Sequence, residues 1–513
     1  MGSSWVMRVA VAALLSVASV AHAGQSPASG QDKATAADQA PMTKEQAKEL
    51  FRSVDEILNF VSSDTKLPIE HSVKRKLLSR DEVNRYLKVK FDEDEGARRL
   101  ERSEIVLKKF GLLDRDFHLR PFLVELLTEQ IAGFYDNKTK TVNLLSWIQP
   151  EEQKPVLAHE LTHALQDQKV DLTKWSDVSL NDMSHTMKDD NRHLLVDEAE
   201  TARSAVAEGQ AMAVFIDYTL RPTGKTLADA PALGDKLKDT VEDTSGSPVL
   251  ARAPLLLQQS LLFPYSEGLS FEQAILVKGG RQAAFAGVLA NPPSSSFEIM
   301  HPEAYMGHAP VPVLRLPDIH PLLDADYTPY DLGVMGELDV RILTELFGGR
   351  EMATALAPAW NGGVYYAAQR KSAVTVAEKE STASIGLLYY SQWKNEDSAR
   401  SFLRVYAEQV PRKYSNVVRR TQDEVNDSEQ IYSTSEGDVL LSISGTGVFI
   451  GEGFSLPLAR KLRDSIASVQ SSGPMQIAGA QPHETALGLS TLLSSFGAIK
   501  PSSLERYTFM GHR

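Results

Sequence analysis

The chain contains no cysteine among its 513 residues. Disulfide scaffolds, thiolate zinc sites, iron–sulfur clusters and cysteine nucleophiles are therefore excluded. With 42% hydrophobic and 24% charged residues, a chain of this length can bury a sizeable core. Its stability must come from packing or from a bound ion, because covalent cross-links between side chains are not available to it.

The balance of charge is acidic. Lys and Arg total 54 against 67 Asp and Glu, which gives a formal net charge of −13. This balance argues against a nucleic-acid-binding protein held by phosphate contacts. We expect a protein, a peptide or a metal ion as the partner instead.

The N-terminal residues have the pattern of a signal peptide. Arg8 is followed by an apolar run from Val9 to Val20 and by the small-x-small triplet Ala21-His22-Ala23. The run is shorter than the roughly 20 residues of a membrane span. We expect cleavage after residue 23, export from a bacterial cytoplasm to the periplasm or the medium, and no stable membrane insertion. An uncleaved N-terminal anchor is the alternative.

Composition divides the rest of the chain. Residues 24–42 are rich in Gly, Ser, Ala, Pro and Gln, which predicts a flexible linker. Apolar residues at helical spacing follow, and we expect a mainly helical domain over 43–325 with a small sheet. The texture changes near Pro329, which predicts a smaller α+β domain over 330–472 and a low-complexity tail over 473–513. The predicted fold class is therefore α+β.

Individual elements can be predicted inside these domains. Residues 132–145 suggest a hairpin, with a strand from Lys140 to Leu145. Helices are expected from Pro155 to Gln168 and from Asn191 to Leu220, and loops at 260–310 because of their Pro and Ser content. In the later domain the pattern predicts these strands and helices: Gly336–Leu346, Val364–Gln369, Ile385–Trp393, Asn395–Gln409, Gln430–Thr434, Val439–Ser444, Gly447–Gly451 and Leu456–Ser471.

The segment HELTH in the first of these helices points to metal chemistry. His159 and His163 are four residues apart, so on a helix they lie one turn apart on the same face, as two ligands of a tetrahedral Zn²⁺ do. Glu160 lies between them and can act as general base for a metal-activated water. An amphipathic helix with ordinary, partly buried histidines is the alternative interpretation.

A catalytic zinc needs a third protein ligand. The extended HExxHxxGxxH pattern is excluded, because Gln166 and Lys169 stand at its glycine and third-histidine positions. The next glutamates are Glu198, Glu200 and Glu208. We prefer Glu208, because Gly209-Gln210-Ala211 would let its helix approach the histidine helix closely, and Glu200 is the second choice.

Other polar residues are weaker candidates. Asp197 can orient a ligand imidazole through its unmetallated nitrogen, although a charge at the helix start is the preferred role for it, and Asp167 is the alternative candidate. His185 and His193 lie between the two helices and are expected to be incidental. Possible stabilisers of the oxyanion, which packing alone can also explain, are Tyr265, His301 and Tyr305.

The motifs HELTHALQDQ and DEAETARSAVAEGQA, with GFYDNKTK upstream and FPYSEG and HPEAY downstream, resemble those of exported bacterial zincins, HExxH metallopeptidases of the glutamate-liganded, gluzincin-like kind. The resemblance covers roughly residues 45–320. It implies a zincin-like domain, one Zn²⁺ per chain on His159, His163 and Glu208, and Glu160 as general base. It also implies that a peptide substrate pairs with the strand Lys140–Leu145 as a sheet edge. The long gap between His163 and Glu208 departs from the thermolysin-like pattern.

The leading hypothesis is an exported zinc-dependent peptidase that acts on peptides or proteins. The alternative is a non-catalytic zincin-fold interaction protein with a structural or vestigial zinc site. The carboxylate of Glu160 favours the enzyme, since a purely structural site has no use for it. A hydrolase that stays inactive until a covering segment moves is a third possibility.

Overall fold

The computed structural model describes residues 42–92, 95–131, 133–176, 185–229 and 247–470, together with Gly473 and Met475. The predicted signal peptide, the linker up to residue 41 and nearly all of the predicted tail lie outside these residues. The expected α+β class is confirmed, because the described chain combines many helices with two sheets. The predicted domain boundaries stay predictions.

The helices of eight residues or more in the described ranges are α1 (Lys44–Thr65), α2 (Arg80–Asp92), α3 (Glu95–Phe110), α4 (Leu119–Gln130), α5 (Pro150–Val170), α6 (Met187–Leu194), α7 (Ala199–Leu220), α8 (Leu255–Gln282), α9 (Glu337–Gly348), α10 (Glu396–Lys413) and α11 (Leu456–Gln470). Shorter helices cover Leu172–Ser176, Pro248–Ala251, Val288–Ala290, Ser296–Met300, Pro302–Met306, His320–Leu323, Arg350–Leu356 and Val376–Lys379. A π-helical turn covers Ala283–Gly287, directly after α8.

Helix α7 is the centre of the helical part. It packs against α1, α5 and α8. Its sequence is apolar or small on nearly every face, as expected of a helix with neighbours all round, and most of its residues from Ala199 to Asp217 are buried. Helix α5 is also buried through its middle, from Val156 to Asp167. The two helices that carry the predicted metal ligands are therefore neighbours in the core.

A three-stranded sheet lies beside α5. Its strands are β1 (Lys74–Leu78), β2 (Phe134–Asp136) and β3 (Thr141–Leu145), in the order β1-β3-β2, and β3 is parallel to β1 and antiparallel to β2. The prediction that Lys140–Leu145 is a sheet edge is therefore wrong, because β3 is the central strand. The sequence KRKLL of β1 has three cationic residues and too little alternation to be recognised as its partner.

The second sheet is antiparallel and has seven strands. They are β4 (Tyr327–Val334), β5 (Trp360–Arg370), β6 (Ile385–Trp393), β7 (Val418–Arg419), β8 (Glu429–Thr434), β9 (Gly437–Ser444) and β10 (Gly447–Glu452), in the order β4-β5-β6-β10-β9-β8-β7. Alternate residues of β5 enter two apolar clusters: Tyr365 packs in the cluster that contains α10, and Val364 and Tyr366 pack in the cluster that contains α11. The sheet therefore separates two layers of helix.

The helical part and the seven-stranded sheet share one core. The ring of Phe110, at the end of α3, lies 5.6 Å from the ring of Tyr365 in β5. On the polar side of this contact, Lys109 forms an ion pair with Glu436 at 3.0 Å. The N–H of Val334, in β4, donates to Asp197 just before α7. These contacts fix the sheet against the helices that carry the site.

Two of the predicted helices have other bounds in the structure. Helix α5 begins at Pro150 rather than Pro155, because Pro150 suits a first turn while burial of the helix outweighs the hydrogen bond lost at Pro155. The predicted helix Asn191–Leu220 is interrupted before α7, where Asp197 and Glu198 bind Val334 and Ser296 instead of continuing the helix.

The phrase FPYSEG, predicted as a loop, lies inside α8. Pro264 is buried there, and the apolar residues around it pack against α7, so tertiary contacts outweigh the cost of roughly 3 kcal/mol of a proline in a helix interior. Across the described residues, no helix is both long and apolar enough to cross a membrane.

Candidate metal centre

The two histidines of α5 point to the same place. They are one helical turn apart, and their Nε2 atoms lie 3.2 Å apart with the rings nearly perpendicular at 86°. Both side chains are at most 2% exposed. The four-residue spacing therefore brings the Nε2 atoms of both imidazoles to one point inside the core.

Helix α7 brings Glu208 to the same point. Its Oε2 lies 3.1 Å from Nε2 of His159 and 3.3 Å from Nε2 of His163. Burial acts to raise the pKa of Glu208, but the neighbouring imidazoles of His163 and His159, when protonated, outweigh burial and hold this pKa far below its ordinary value. The carboxylate is therefore ionised, which is the form that binds a cation.

These distances fit a metal ion. In a tetrahedral zinc site with bonds of about 2.0–2.1 Å, neighbouring ligand atoms are about 3.3–3.4 Å apart. The three separations at this point are 3.1, 3.2 and 3.3 Å. The group His159, His163 and Glu208 is buried and can hold a metal ion, and two imidazoles with one carboxylate are a donor set typical of zinc.

Glu160 stands beside this group without belonging to it. Its side chain is buried, and its Oε2 accepts a hydrogen bond of 2.8 Å from the backbone N–H of Tyr135 in β2. The metal-binding group comprises the other three residues. Glu160 is thus a buried carboxylate next in sequence to His159 and outside the group, and its role as general base stays a prediction.

The glutamates that the sequence left open lie elsewhere. Glu198 precedes α7 and accepts hydrogen bonds from the backbone N–H and the hydroxyl of Ser296, while burial raises the pKa of Glu198 to about 7. Glu200 is buried in the first turn of α7, near Arg203. Glu208 rather than Glu200 completes the group, in agreement with the preferred assignment.

The reason given for that preference is wrong in one respect. Gly209 does allow a close helix approach, but the neighbour is α8 and not the histidine helix. A Cβ on Gly209 would lie 2.1 Å from the carbonyl oxygen of Gly268. The small residues therefore position Glu208 through α8.

The two aspartates proposed to orient a ligand imidazole are bonded to other groups. Asp167 accepts from the hydroxyl of Tyr135 at 2.8 Å and from Lys140 at 2.6 Å. Asp197 is bonded to His193 at 3.2 Å and to the N–H of Val334 at 2.7 Å. His193 thereby has a structural role, as expected for a histidine outside the site.

Gln166 has the role that was sought among the aspartates. Its Oε1 lies 2.8 Å from Nδ1 of His163, the nitrogen that faces away from the metal-binding point. The sequence contained a signal for it, since Gln166 follows His163 by three residues and so lies on the same helix face.

Of the three residues considered for an oxyanion, the structure brings Tyr265 to the site. Its ring is fully buried in α8 and lies 6.5 Å from the ring of His159, at an angle of 25°. His301 is bonded to Glu337 at 2.8 Å, and Tyr305 donates to the carbonyl of Asn291. Hydrogen bonding to Glu337 raises the pKa of His301.

Comparison with protein-family models, with curated proteins and with solved structures finds no match to this chain.

Proposed function

We propose that this chain is an exported zinc-dependent peptidase with a zincin-like helical domain. The observation that carries the proposal is the convergence of His159, His163 and Glu208, with Glu160 adjacent but outside the ligand set. Two imidazoles and one carboxylate leave a fourth position of a tetrahedral ion for water, which is the arrangement of catalytic zinc sites.

When bound, zinc would lower the pKa of a water molecule and polarise a carbonyl group of the substrate. Glu160 would take up the proton of the attacking water and return it to the leaving amine. The N–H of Tyr135 holds one oxygen of Glu160 and so restricts the rotation of its carboxylate. The proposed substrate class is a peptide or protein, and the acidic balance of the chain argues against a nucleic acid.

Export to the bacterial periplasm or medium is part of the proposal. It is supported by Arg8, the apolar run that follows and the triplet Ala21-His22-Ala23. Mass spectrometry of the protein recovered from a secreting bacterial host should find Gly24 as the first residue. A chain that retains residue 1 in the cytoplasm would contradict this part.

A second candidate function is a non-catalytic metal site in an interaction protein. The burial of the group favours it, because His159, Glu160, His163 and Glu208 are all at most 2% exposed and a substrate has to reach them. In that case a metal ion would stabilise the contact between α5 and α7 and nothing more.

Glu160→Gln separates the two candidates. The amide keeps the size of the side chain and an oxygen that can accept from Tyr135, but it cannot act as a base. If the chain is a peptidase, the variant should retain its zinc and cleave an unbiased peptide mixture about 10²- to 10⁴-fold more slowly than the wild type. A chelator should abolish the wild-type cleavage.

Equal cleavage by the wild type and by Glu160→Gln would refute catalysis at this site. Zinc binding without cleavage by either protein would favour the non-catalytic candidate. Replacing Glu152, an exposed glutamate in the first turn of the same helix, by Gln is the matched control and should change neither property.

A further inference from the structure

The buried side-chain amides of Gln166 and Gln210 form a series of hydrogen bonds from His163 to the turn that follows α8. Gln166 lies 2.8 Å from Nδ1 of His163 through its Oε1, and its Nε2 donates to Gln210 Oε1 at 2.9 Å. The Nε2 of Gln210 donates in turn to the carbonyl oxygens of Ala284 and Phe285, at 2.8 and 3.1 Å. Both glutamines are fully buried.

Backbone carbonyl oxygens fix the orientation of both amides in this series. A carbonyl oxygen only accepts, so the amide nitrogen of Gln210 must face Ala284 and Phe285, and its oxygen must face Gln166. Gln166 is fixed in the same way, because its Nε2 also donates to the carbonyl of Ala207 at 3.0 Å. Its oxygen is therefore the atom that faces His163.

The tautomer of His163 follows from this direction. An amide oxygen cannot donate, so Nδ1 of His163 must carry the proton of their hydrogen bond. In the neutral imidazole the lone pair then lies on Nε2, which is the nitrogen that faces His159 and Glu208. This is the form of the ring that a metal ion needs.

The series of hydrogen bonds ends at an irregular turn. Residues Ala283–Gly287 form a π-helical turn, in which carbonyl groups are displaced from the ordinary helical pattern. The two carbonyls that accept from Gln210 belong to this turn. The irregular turn therefore supplies the fixed acceptors that set the direction of both amides.

We propose that Gln166 and Gln210 are positioning residues. The carbonyl acceptors of the π-helical turn fix the orientation of both amides, and Gln166 thereby holds the Nε2 lone pair of His163 towards the metal. The proposal rests on the metal site proposed above, but the tautomer is a property of the metal-free chain. His159 is the internal contrast: its Nδ1 has no hydrogen-bond partner within the described residues. The two glutamines therefore orient only one of the two imidazoles, that of His163.

The tautomer can be measured without metal or substrate. In the metal-free full-length chain labelled with ¹⁵N-histidine, long-range ¹H–¹⁵N NMR spectra distinguish Nδ1–H from Nε2–H imidazole, and His163→Ala identifies the His163 signals. We expect neutral His163 to be in the Nδ1–H form. A neutral His163 in the Nε2–H form would overturn the proposal, whether or not the chain binds zinc.

Substitution of Gln166 or Gln210 provides the second measurement. Gln166→Leu keeps the approximate volume but removes the acceptor, and we expect loss of the fixed Nδ1–H form and about 10- to 100-fold weaker zinc binding. Gln166→Glu retains an acceptor opposite Nδ1 and should keep the tautomer, but it loses the donor to Ala207 and Gln210 and should be less stable. Gln210→Leu, one step further away, should weaken zinc binding in the same direction but less.

Gln153 offers a matched control on the same helix. It is also a buried glutamine with three hydrogen bonds, here to Leu145 and Ile148, and it lies far from His163 along α5. Gln153→Leu should lower stability without changing the tautomer of His163. Equal zinc affinity of Gln166→Leu and Gln153→Leu would overturn the positioning role. Absence of zinc binding in the wild type with an Nδ1–H His163 would refute the proposed function and leave the tautomer assignment standing.

Discussion

Gly209 and Gly268 bring α7 and α8 into direct backbone contact. A Cβ on Gly209 would lie 2.1 Å from the carbonyl oxygen of Gly268, and a Cβ on Gly268 would lie 2.3 Å from that of Ala205. Real Cβ atoms do not approach an oxygen so closely. Since Glu208 immediately precedes Gly209, this contact also sets how far the third candidate ligand reaches towards α5.

The first prediction concerns this contact. Gly268→Ala forces α7 and α8 apart, so we expect the free energy of unfolding to fall by about 1–3 kcal/mol or more. Chemical denaturation measures it. Gly287→Ala is the control, because a Cβ there meets only ordinary contacts from 3.4 Å outwards. The steric account fails if both variants are as stable as the wild type.

The second prediction concerns Glu272 in α8. It is fully buried, and within the described part of the chain neither of its carboxylate oxygens has a hydrogen-bond partner. Burial raises the pKa of Glu272 well above its ordinary value, and Arg281 offsets this only in part. Glu272→Met, which removes the polar group at similar size, should therefore stabilise the chain by about 1–3 kcal/mol near neutral pH.

The same change should have a characteristic pH dependence. Below the ordinary value of 4.5 the carboxyl of Glu272 is protonated in the folded and the unfolded chain, so titration contributes nothing to stability. As the pH rises, the unfolded chain ionises first and the wild type loses stability. The advantage of Glu272→Met should grow with pH. Glu408→Met, on the exposed face of α10, should show no such trend.

The third prediction concerns a buried charge pair under the seven-stranded sheet. Lys413 donates to Glu452 at 2.6 Å and to the hydroxyl of Tyr406 at 2.9 Å, and Tyr414 also donates to Glu452. Lys413→Met leaves the buried carboxylate without its cation, so we expect a loss of about 3–5 kcal/mol in unfolding free energy. Adding Glu452→Gln should restore part of it. A single variant as stable as the wild type would contradict this account.

The sequence predicted five of the seven strands and the three long helices in the later part of the described chain, but not the edge strands β4 and β7. The strand Ile385–Trp393 has the predicted ends, and the helix expected from Asn395 to Gln409 is α10 with one further turn. Turn residues separate apolar runs of distinct period in this region, so local signals agree with the final structure. Tertiary contacts had little to override.

The helix α8 shows where sequence reasoning fails. Pro264 and the serines nearby are local breakers, and nothing in the segment reveals that buried contacts with α7 outweigh them. The prediction of a loop also placed Tyr265 outside the core, although its ring lies beside that of His159. A local rule cannot foresee a gain that arises between distant segments.

The candidate site was predictable in part. The spacing of His159 and His163 fixes their common face, and the small residue after Glu208 indicated a close helix contact. The partner in that contact, α8, could not be found, because its own helical character was hidden. Gln166 can be predicted from helix geometry alone, because it follows His163 by three residues and lies on the same face.

Zinc content tests the central claim most directly. Glu208 and Glu200 lie two turns apart on α7, are both buried, and differ in whether they reach the two imidazoles. In the full-length chain purified with zinc and dialysed, elemental analysis should find about one zinc per chain in the wild type and in Glu200→Ala, and far less in Glu208→Ala. One zinc per chain in Glu208→Ala, or none in the wild type, would contradict the account.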